Sequence, residues 1–146
     1  MEVHMTRPLA DDLGFLLSRA SGQVARVTNA ALAEHGLRVR QYSVLVLACD
    51  APDGLSQREL ATQLALDPSQ VVLLVDELAA AGLVQRQAPE TDRRTRLVVA
   101  TAEGCRVREA AGRDADAALE TPLRLLGDAE RDRLRDMLTR IWTATG

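Results

Sequence analysis

The side chains best suited to chemistry in this chain are arginines that cluster in one short segment. Four of them lie within residues 86–96, namely Arg86, Arg93, Arg94 and Arg96, against the acidic Glu90 and Asp92. The segment therefore carries a local excess of two positive charges. The narrow minor groove of A·T-rich DNA attracts inserted arginines through its enhanced negative potential. Asp92 is placed to orient Arg94 or Arg96, because residues two apart share one face of a strand.

The other reactive side chains form no catalytic or metal-binding pattern. Cys49 and Cys105 are far apart in the sequence, and neither has a second cysteine or a histidine at metal-ligand spacing. Cys49 lies in an apolar run typical of a small core residue, whereas Cys105 is early in a predicted helix. Whether either thiol is redox-active stays open. His35 is interpreted as a residue that complements the dipole at a helix end. With no nucleophile–base pair, we expect no enzymatic activity, metal or cofactor.

Composition indicates a single soluble domain with an aliphatic core. The 146 residues are 47% hydrophobic and 27% charged, but only 2% aromatic. No apolar run approaches the ~18 residues of a transmembrane helix, so we expect a cytoplasmic protein with no membrane partner. The net charge of −3 means that any contact with nucleic acid depends on local positive charge.

Hydrophobic periodicity predicts long helices at both ends of the chain. The first covers 9–34, with apolar residues at steps of three and four, and ends before Gly36. A second helix over 40–49 is apolar nearly all round and is expected to be buried. After the middle of the chain, a helix over 102–120 is interrupted by Pro122. Asp128 then caps a last helix that reaches Trp142.

The middle of the chain predicts two short helices followed by a hairpin. Ser56-Gln-Arg-Glu59 is a capping box at the start of a helix that ends near Leu64. Asp67 is the expected N-cap of the next helix, with Pro68 at its first position and Gln70 at its third, and Gly82 ends this helix after Ala81. Strands over 83–87 and 96–100 are joined by a loop over 88–95. The order is α-α-α-α-β-β-α-α.

This arrangement is that of a winged helix-turn-helix with a two-stranded wing, a mainly α (α+β) fold. In such folds the second short helix enters the major groove with its N-terminal residues nearest the base edges. We therefore expect DNA contacts from both helices and from the wing. The candidate residues are Ser56, Gln57, Arg58, Ser69, Gln70, Leu73, Arg86, Arg93, Arg94 and Arg96.

Several runs together resemble the MarR family of transcriptional regulators. They are Leu55-Ser-Gln-Arg-Glu-Leu-Ala, Leu66-Asp-Pro-Ser, Leu74-Val-Asp-Glu-Leu, Gly82-Leu-Val-Gln-Arg, Asp92-Arg-Arg-Thr-Arg-Leu-Val and Thr101-Ala-Glu-Gly. The resemblance is strong over 55–104. It implies that Arg94 enters the minor groove and that the helix over 68–81 reads the major groove. It also implies one domain over 1–146, with a DNA-binding lobe over 38–104 and dimerisation helices over 8–36 and 105–144.

The expected function is sequence-specific regulation of transcription by a ligand-responsive repressor that acts as a homodimer on a pseudo-palindromic operator. The expected partners are double-stranded DNA, a second copy of the chain and a small apolar or phenolic effector; the effector-binding residues are not predicted. Alternatives are an effector-independent or activating regulator, or a dimeric interaction module that has lost DNA binding. The last is motivated by Leu73 and Glu77, where many family members carry basic or hydroxyl residues. For the two short helices, the simplest alternative is that they only pack against the core. For the arginines of the loop, the simplest alternative is a solvated charged turn.

Overall fold

The computed structural model describes residues 7–88 and 96–144, which form six α-helices and a small antiparallel sheet. This confirms the predicted mainly helical winged-helix fold. The elements are α1 (Leu13–Ala33), α2 (Val39–Asp50), β1 (Leu55–Ser56), α3 (Gln57–Leu64), α4 (Pro68–Ala80), β2 (Val84–Gln87), β3 (Leu97–Ala100), α5 (Ala102–Leu123) and α6 (Asp128–Ala144).

The first predicted helix is divided near its start. A 3-10 turn over Leu9–Asp11 precedes α1, and the Asp12 carboxylate caps α1 by accepting the Phe15 N–H at 2.8 Å. The prediction of one helix over 9–34 missed this division. At the other end, Gly36 adopts φ +71°, as expected for a glycine after a helix. His35 was predicted to act as a cap, but its Nε2 lies 2.7 Å from the Asp114 carboxylate and so links the end of α1 to α5.

The sheet contains a third strand that the sequence pattern did not predict. The strand order is β1-β3-β2, and Leu55 of β1 pairs with Val98 of β3. Two residues are too few to show an alternating pattern, and Ser56 already carries the signal of a helix cap. The two-stranded wing is therefore extended at its base. There β1 pairs with β3 and leads directly into α3.

The last two helices differ from their predicted limits. Pro122 does not interrupt α5, which ends at Leu123. Because proline lacks an N–H, its cost is smallest near a helix end, where part of the hydrogen-bond ladder is already lost. Asp128 is the first residue of α6 rather than the residue before it, and Gly127 donates its N–H to Glu130 Oε1 at 3.0 Å.

One aliphatic core joins α1 through α5 and the sheet. Its fully buried side chains include Leu32, Leu45, Leu60, Leu78 and Val98, each from a different helix or strand. The prediction that α2 is buried at the centre is confirmed, since α2 packs against α1, α3, α4, α5 and β3. The core holds the short α3 and α4 in place beside the wing.

The terminal helices leave apolar side chains outside this core. The segment before α1 and its first turns expose Leu9, Leu13, Leu16 and Leu17, and α6 has no buried residue at all. On α6 the exposed apolar residues are Met137, Leu138, Ile141 and Trp142. No helix within 7–88 or 96–144 combines the length and the apolar character that crossing a membrane requires.

Candidate nucleic-acid interface

The turn between α3 and α4 is built from local caps. The Ser56 hydroxyl accepts the Glu59 N–H at 3.0 Å, and the Glu59 carboxylate accepts the Ser56 N–H at 3.4 Å, which confirms the predicted capping box. The helix ends at Ala65, which adopts the left-handed conformation with φ 53°. Leu66 then donates its N–H to the Ala61 carbonyl at 3.0 Å, so the chain reverses tightly into α4.

Helix α4, the second helix of the helix-turn-helix, begins where its sequence predicts, and its first turn is exposed to solvent. Asp67 is the N-cap, Pro68 is the first residue, and Gln70 Oε1 accepts the Asp67 N–H at 3.3 Å. Ser69 and Gln70 are exposed. The following residues on the same side are apolar: 37% of Val72 and 62% of Leu73 is exposed to solvent.

The Arg86 guanidinium is held by partners inside the protein. Its Nη2 lies 2.6 Å from Asp76 Oδ1 on α4 and donates to the Val72 carbonyl at 3.3 Å. Its Nε donates to Gln57 Oε1 on α3 at 3.0 Å. Arg86 and Gln57 were both predicted to contact DNA. In this geometry Arg86 instead joins β2 to both helices of the helix-turn-helix.

Of the remaining residues predicted to contact DNA or orient the wing, two are exposed to solvent and three lie outside the described residues. Arg58 is exposed on α3, and Arg96 is exposed directly before β3. Asp92, Arg93 and Arg94 fall within 89–95, which lies outside the described residues, so the predicted wing contacts stay predictions.

A cleft lies beside the exposed side of α4, and no effector-binding residues were predicted there from the sequence. It has a volume of about 410 Å³ and brings together α1, the start of α2, and α4. The cationic side chains are Arg38 and Arg40. The other lining residues are Asn29, Val39, Gln70, Leu73, Leu74 and Glu77.

Glu77 of α4 is held at one wall of this cleft. Its carboxylate lies 2.8 Å from Arg38 Nη2, and the same oxygen accepts a hydrogen bond from the buried Gln41 amide. Together with the Arg86–Asp76 pair, this means that both acidic residues of α4 are matched by arginines from other elements. Neither carboxylate of α4 is therefore left without a cationic partner beside the exposed side of the helix.

Three comparisons with known proteins agree with this geometry. The model of the MarR family matches residues 35–95. The chain is 33% identical over 142 residues to the putative transcriptional regulatory protein for the hcr operon of Thauera aromatica, covering 92% of this chain and 81% of that protein.

Two solved structures from Rhodococcus are more similar. CouR from Rhodococcus jostii RHA1, bound to p-coumaroyl-CoA, is 48% identical with a TM-score of 0.85, covering 93% of this chain and 95% of CouR. A MarR-family regulator from Rhodococcus sp. RHA1 is 47% identical with a TM-score of 0.86, covering 93% of this chain and 96% of that one. The match extends beyond the helix-turn-helix to the terminal helices, and the chain belongs to the MarR family of transcriptional regulators.

Proposed function

We propose that this regulator binds double-stranded DNA as a homodimer and represses transcription from a pseudo-palindromic operator. The observation that carries the proposal is the two-sided character of α4. One side, with Val71, Val75 and Leu78, is buried in the core, while Ser69, Gln70 and Leu73 face solvent. A helix anchored in this way can enter a major groove with its N-terminal amides near the phosphates.

A second copy of the chain is the proposed partner of the terminal helices. Helix α6 buries no residue within the described single chain, and its exposed Met137 and Leu138 continue an apolar surface of the kind that subunits bury. The leucines before and within the first turns of α1 are also exposed, and we propose that the second copy covers them as well. A two-fold dimer places its two α4 helices at half-sites about one helical turn, ~34 Å, apart.

The cleft beside α4 is the proposed effector site. Its volume lies within the range of small-molecule pockets, and it combines apolar Val39 and Leu74 with cationic Arg38 and Arg40. Such a lining suits an aromatic group that carries an anion. CouR, at 48% identity, is bound to p-coumaroyl-CoA. We therefore propose an aromatic carboxylic acid or its coenzyme A thioester as the effector class.

Effector and DNA compete in this proposal because the cleft shares residues with the proposed reading surface. Gln70 and Leu73 line the cleft and also lie on the exposed side of α4. An occupant in contact with them changes the surface that α4 presents to base edges. The effector then lowers operator affinity in proportion to its preference for the DNA-free protein.

The experiment that tests DNA binding is a binding titration on the DNA upstream of the protein's own coding region, at a stated salt concentration. Arg94→Ala is compared with Arg113→Ala, an exposed arginine on α5 that serves as the matched control. We expect Arg94→Ala to weaken binding by about tenfold or more, the loss of one inserted arginine contact, with no change for Arg113→Ala. Equal binding by both variants, or no sequence-specific binding by the unmodified protein, would favour the interaction-module alternative.

A further inference from the structure

Helix α6 is anchored to the rest of its own subunit near its first turns. Within Asp128–Ala144 only Arg131 and Leu134 are partly buried, and the other side chains of the helix are exposed. Packing against the core therefore does little to set the direction in which α6 leaves α5. That direction is set at the connection between the two helices, residues 124–127, which we call the elbow.

The Arg131 guanidinium on α6 reaches back across the elbow to α5. Its Nη1 donates to Glu120 Oε1 at 2.9 Å, and this hydrogen bond lowers the pKa of Glu120 below its usual value, so the pair stays charged at neutral pH. Its Nη2 donates to the Leu123 carbonyl at 2.9 Å, and its Nε donates to the Leu126 carbonyl at 3.1 Å. One planar group thus joins the last turn of α5, the elbow and the second turn of α6.

The same carbonyls form the turn of the elbow itself. The Leu126 N–H donates to the Leu123 carbonyl at 2.9 Å, which closes the turn that follows α5. Arg131 binds the carbonyl at each end of this turn, and only 23% of its side chain is exposed. The conformation of the turn and the position of Arg131 therefore stabilise each other.

Helix electrostatics favours this position of the charge. The C-terminal carbonyls of a helix attract cations, and the last turn of α5 contains no basic residue of its own. Arg124, directly after α5, donates to the Thr121 carbonyl at 3.3 Å, and Arg131 supplies a second cation from the next helix. Near the start of α6 a cation opposes the dipole, and the first turn there carries Asp128 and Glu130. The charge of Arg131 is thus stabilised by α5 and the elbow.

We propose that Arg131 is a positioning residue for dimerisation, which fixes the angle between α5 and α6 so that the apolar surface of α6 meets the second copy in one orientation. This inference rests on the homodimer proposed above. Each of the three guanidinium nitrogens has an acceptor within the same chain, so Arg131 acts on the second copy indirectly.

The energetic argument is one of preorganisation. Without the guanidinium, α6 samples several directions relative to α5, and only some of them let the apolar surfaces of two copies meet. Association must then also order the elbow, and this loss of conformational freedom weakens the dimer. The residues that form the contact surface are unchanged.

The first test measures the dissociation constant of the dimer by sedimentation equilibrium. Arg131→Met keeps an unbranched apolar stem and removes the guanidinium, and it should raise the dissociation constant by about tenfold, because association then includes ordering of the elbow. Arg133→Met is the matched control. Arg133 is an exposed arginine two residues further along α6 and therefore points to another side of the helix, so no change is expected.

The second test measures the elbow in the absence of the dimer. The chain carries Leu138→Asp, which should make it monomeric, and the two native cysteines are replaced by serine. Spin labels are attached after Arg113→Cys on α5 and Thr139→Cys on α6, both at exposed positions. Pulsed electron resonance should give a narrow distance distribution with Arg131 in place and a broad one with Arg131→Met.

The outcomes separate this inference from the proposed homodimer. If Leu138→Asp leaves the protein dimeric, the proposed α6 interface is wrong and the role of Arg131 in dimerisation is wrong with it. If Leu138→Asp gives monomers but Arg131→Met dimerises like wild type, only the role of Arg131 is overturned. A weaker dimer with an unchanged, narrow distance distribution would also overturn it, since Arg131 would then contact the second copy directly.

Discussion

The Arg86 guanidinium on the first strand of the wing lies 2.6 Å from the Asp76 carboxylate on α4. The same side chain donates to Gln57 on α3, so one arginine sets the position of the wing relative to both helices. If the protein binds DNA as proposed above, we expect a residue with this role to affect DNA affinity by holding other residues in place. Its substitution is therefore distinguishable from the loss of a phosphate contact.

We expect Arg86→Ala to lower operator affinity about tenfold while leaving the salt dependence of binding unchanged. A positioning residue releases no counterions, whereas each phosphate contact contributes about −0.9 to the slope of log K against log salt. The unfolding free energy should fall by about 1 kcal/mol, because the half-exposed Asp76 carboxylate loses an ion pair and Gln57 loses a hydrogen-bond donor. Fluorescence anisotropy across a salt series and urea denaturation measure the two effects.

Arg58→Ala is the matched control for Arg86, since Arg58 is exposed on α3. If Arg58 contacts a phosphate, its variant should make the slope shallower by about 0.9 and leave stability unchanged. A slope change in Arg86→Ala with unaltered stability would show that Arg86 contacts DNA directly.

The apolar Leu73 on α4 predicts recognition of thymine methyl groups. An exposed leucine in a major groove offers van der Waals contact and no hydrogen bond, and the thymine methyl is the apolar group there. Replacing thymine by uracil at the contacted position should weaken wild-type binding about fourfold, the value of one buried methyl. The Leu73→Ala variant should lose this discrimination. Leu125→Ala, also highly exposed but beyond α5, serves as control; a uracil effect of equal size in Leu73→Ala and wild type would refute the assignment.

The Arg38–Glu77 pair predicts opposite effects of two substitutions on effector binding. If the cleft is the effector site proposed above, Arg38→Ala removes a cation from it and should weaken binding of p-coumaroyl-CoA, used as the probe of the proposed effector class, about tenfold, as expected for a charged hydrogen bond. Glu77→Gln removes the competing carboxylate and should strengthen binding by up to about fivefold. Isothermal titration calorimetry measures both, with Arg26→Ala outside the cleft as control. Weaker binding by Glu77→Gln would mean that this carboxylate supports the ligand.

The apolar surface of α6 predicts the oligomeric state. If α6 forms the dimer interface proposed above, Leu138→Asp places a charge on this surface and should shift the protein from dimer to monomer in analytical ultracentrifugation, because burying an unpaired carboxylate is costly. Leu73→Asp introduces the same charge at an exposed leucine on α4 and should leave the dimer intact. Dissociation by both variants, or by neither, would argue against α6 as the interface.

The close packing around Gly104 leaves no room for a larger side chain at the start of α5. A Cβ atom there would overlap the Leu83 carbonyl oxygen, so Gly104→Ala must push α5 away from the base of the wing. The expected loss of unfolding free energy is about 1–3 kcal/mol, measured by urea denaturation. Gly22→Ala is the matched control, because nothing lies within 4 Å of a Cβ at this helical position and no loss is expected.

The features that sequence reasoning predicted correctly are local ones. The caps at Ser56 and Asp67 join atoms three residues apart, and Gly82 ends α4 because its backbone adopts φ +77°. Such signals lie within one helical turn, so residue type and spacing are enough to recognise them. The burial of α2 was predictable for a related reason, since a helix that is apolar on every side has no face for water.

The features that sequence reasoning missed join residues that are distant along the chain. β1 exists because Leu55 meets Val98, and Arg86 faces inward because Asp76 and Gln57 surround it. The cleft at Arg38 arises in the same way, from the packing of α2 against α4. Hydrogen bonds within a turn depend only on the spacing of residues along the chain, whereas these contacts depend on how whole helices pack around a shared core. Local sequence therefore specified the caps and the turn of the helix-turn-helix, and tertiary packing specified which charges meet across it.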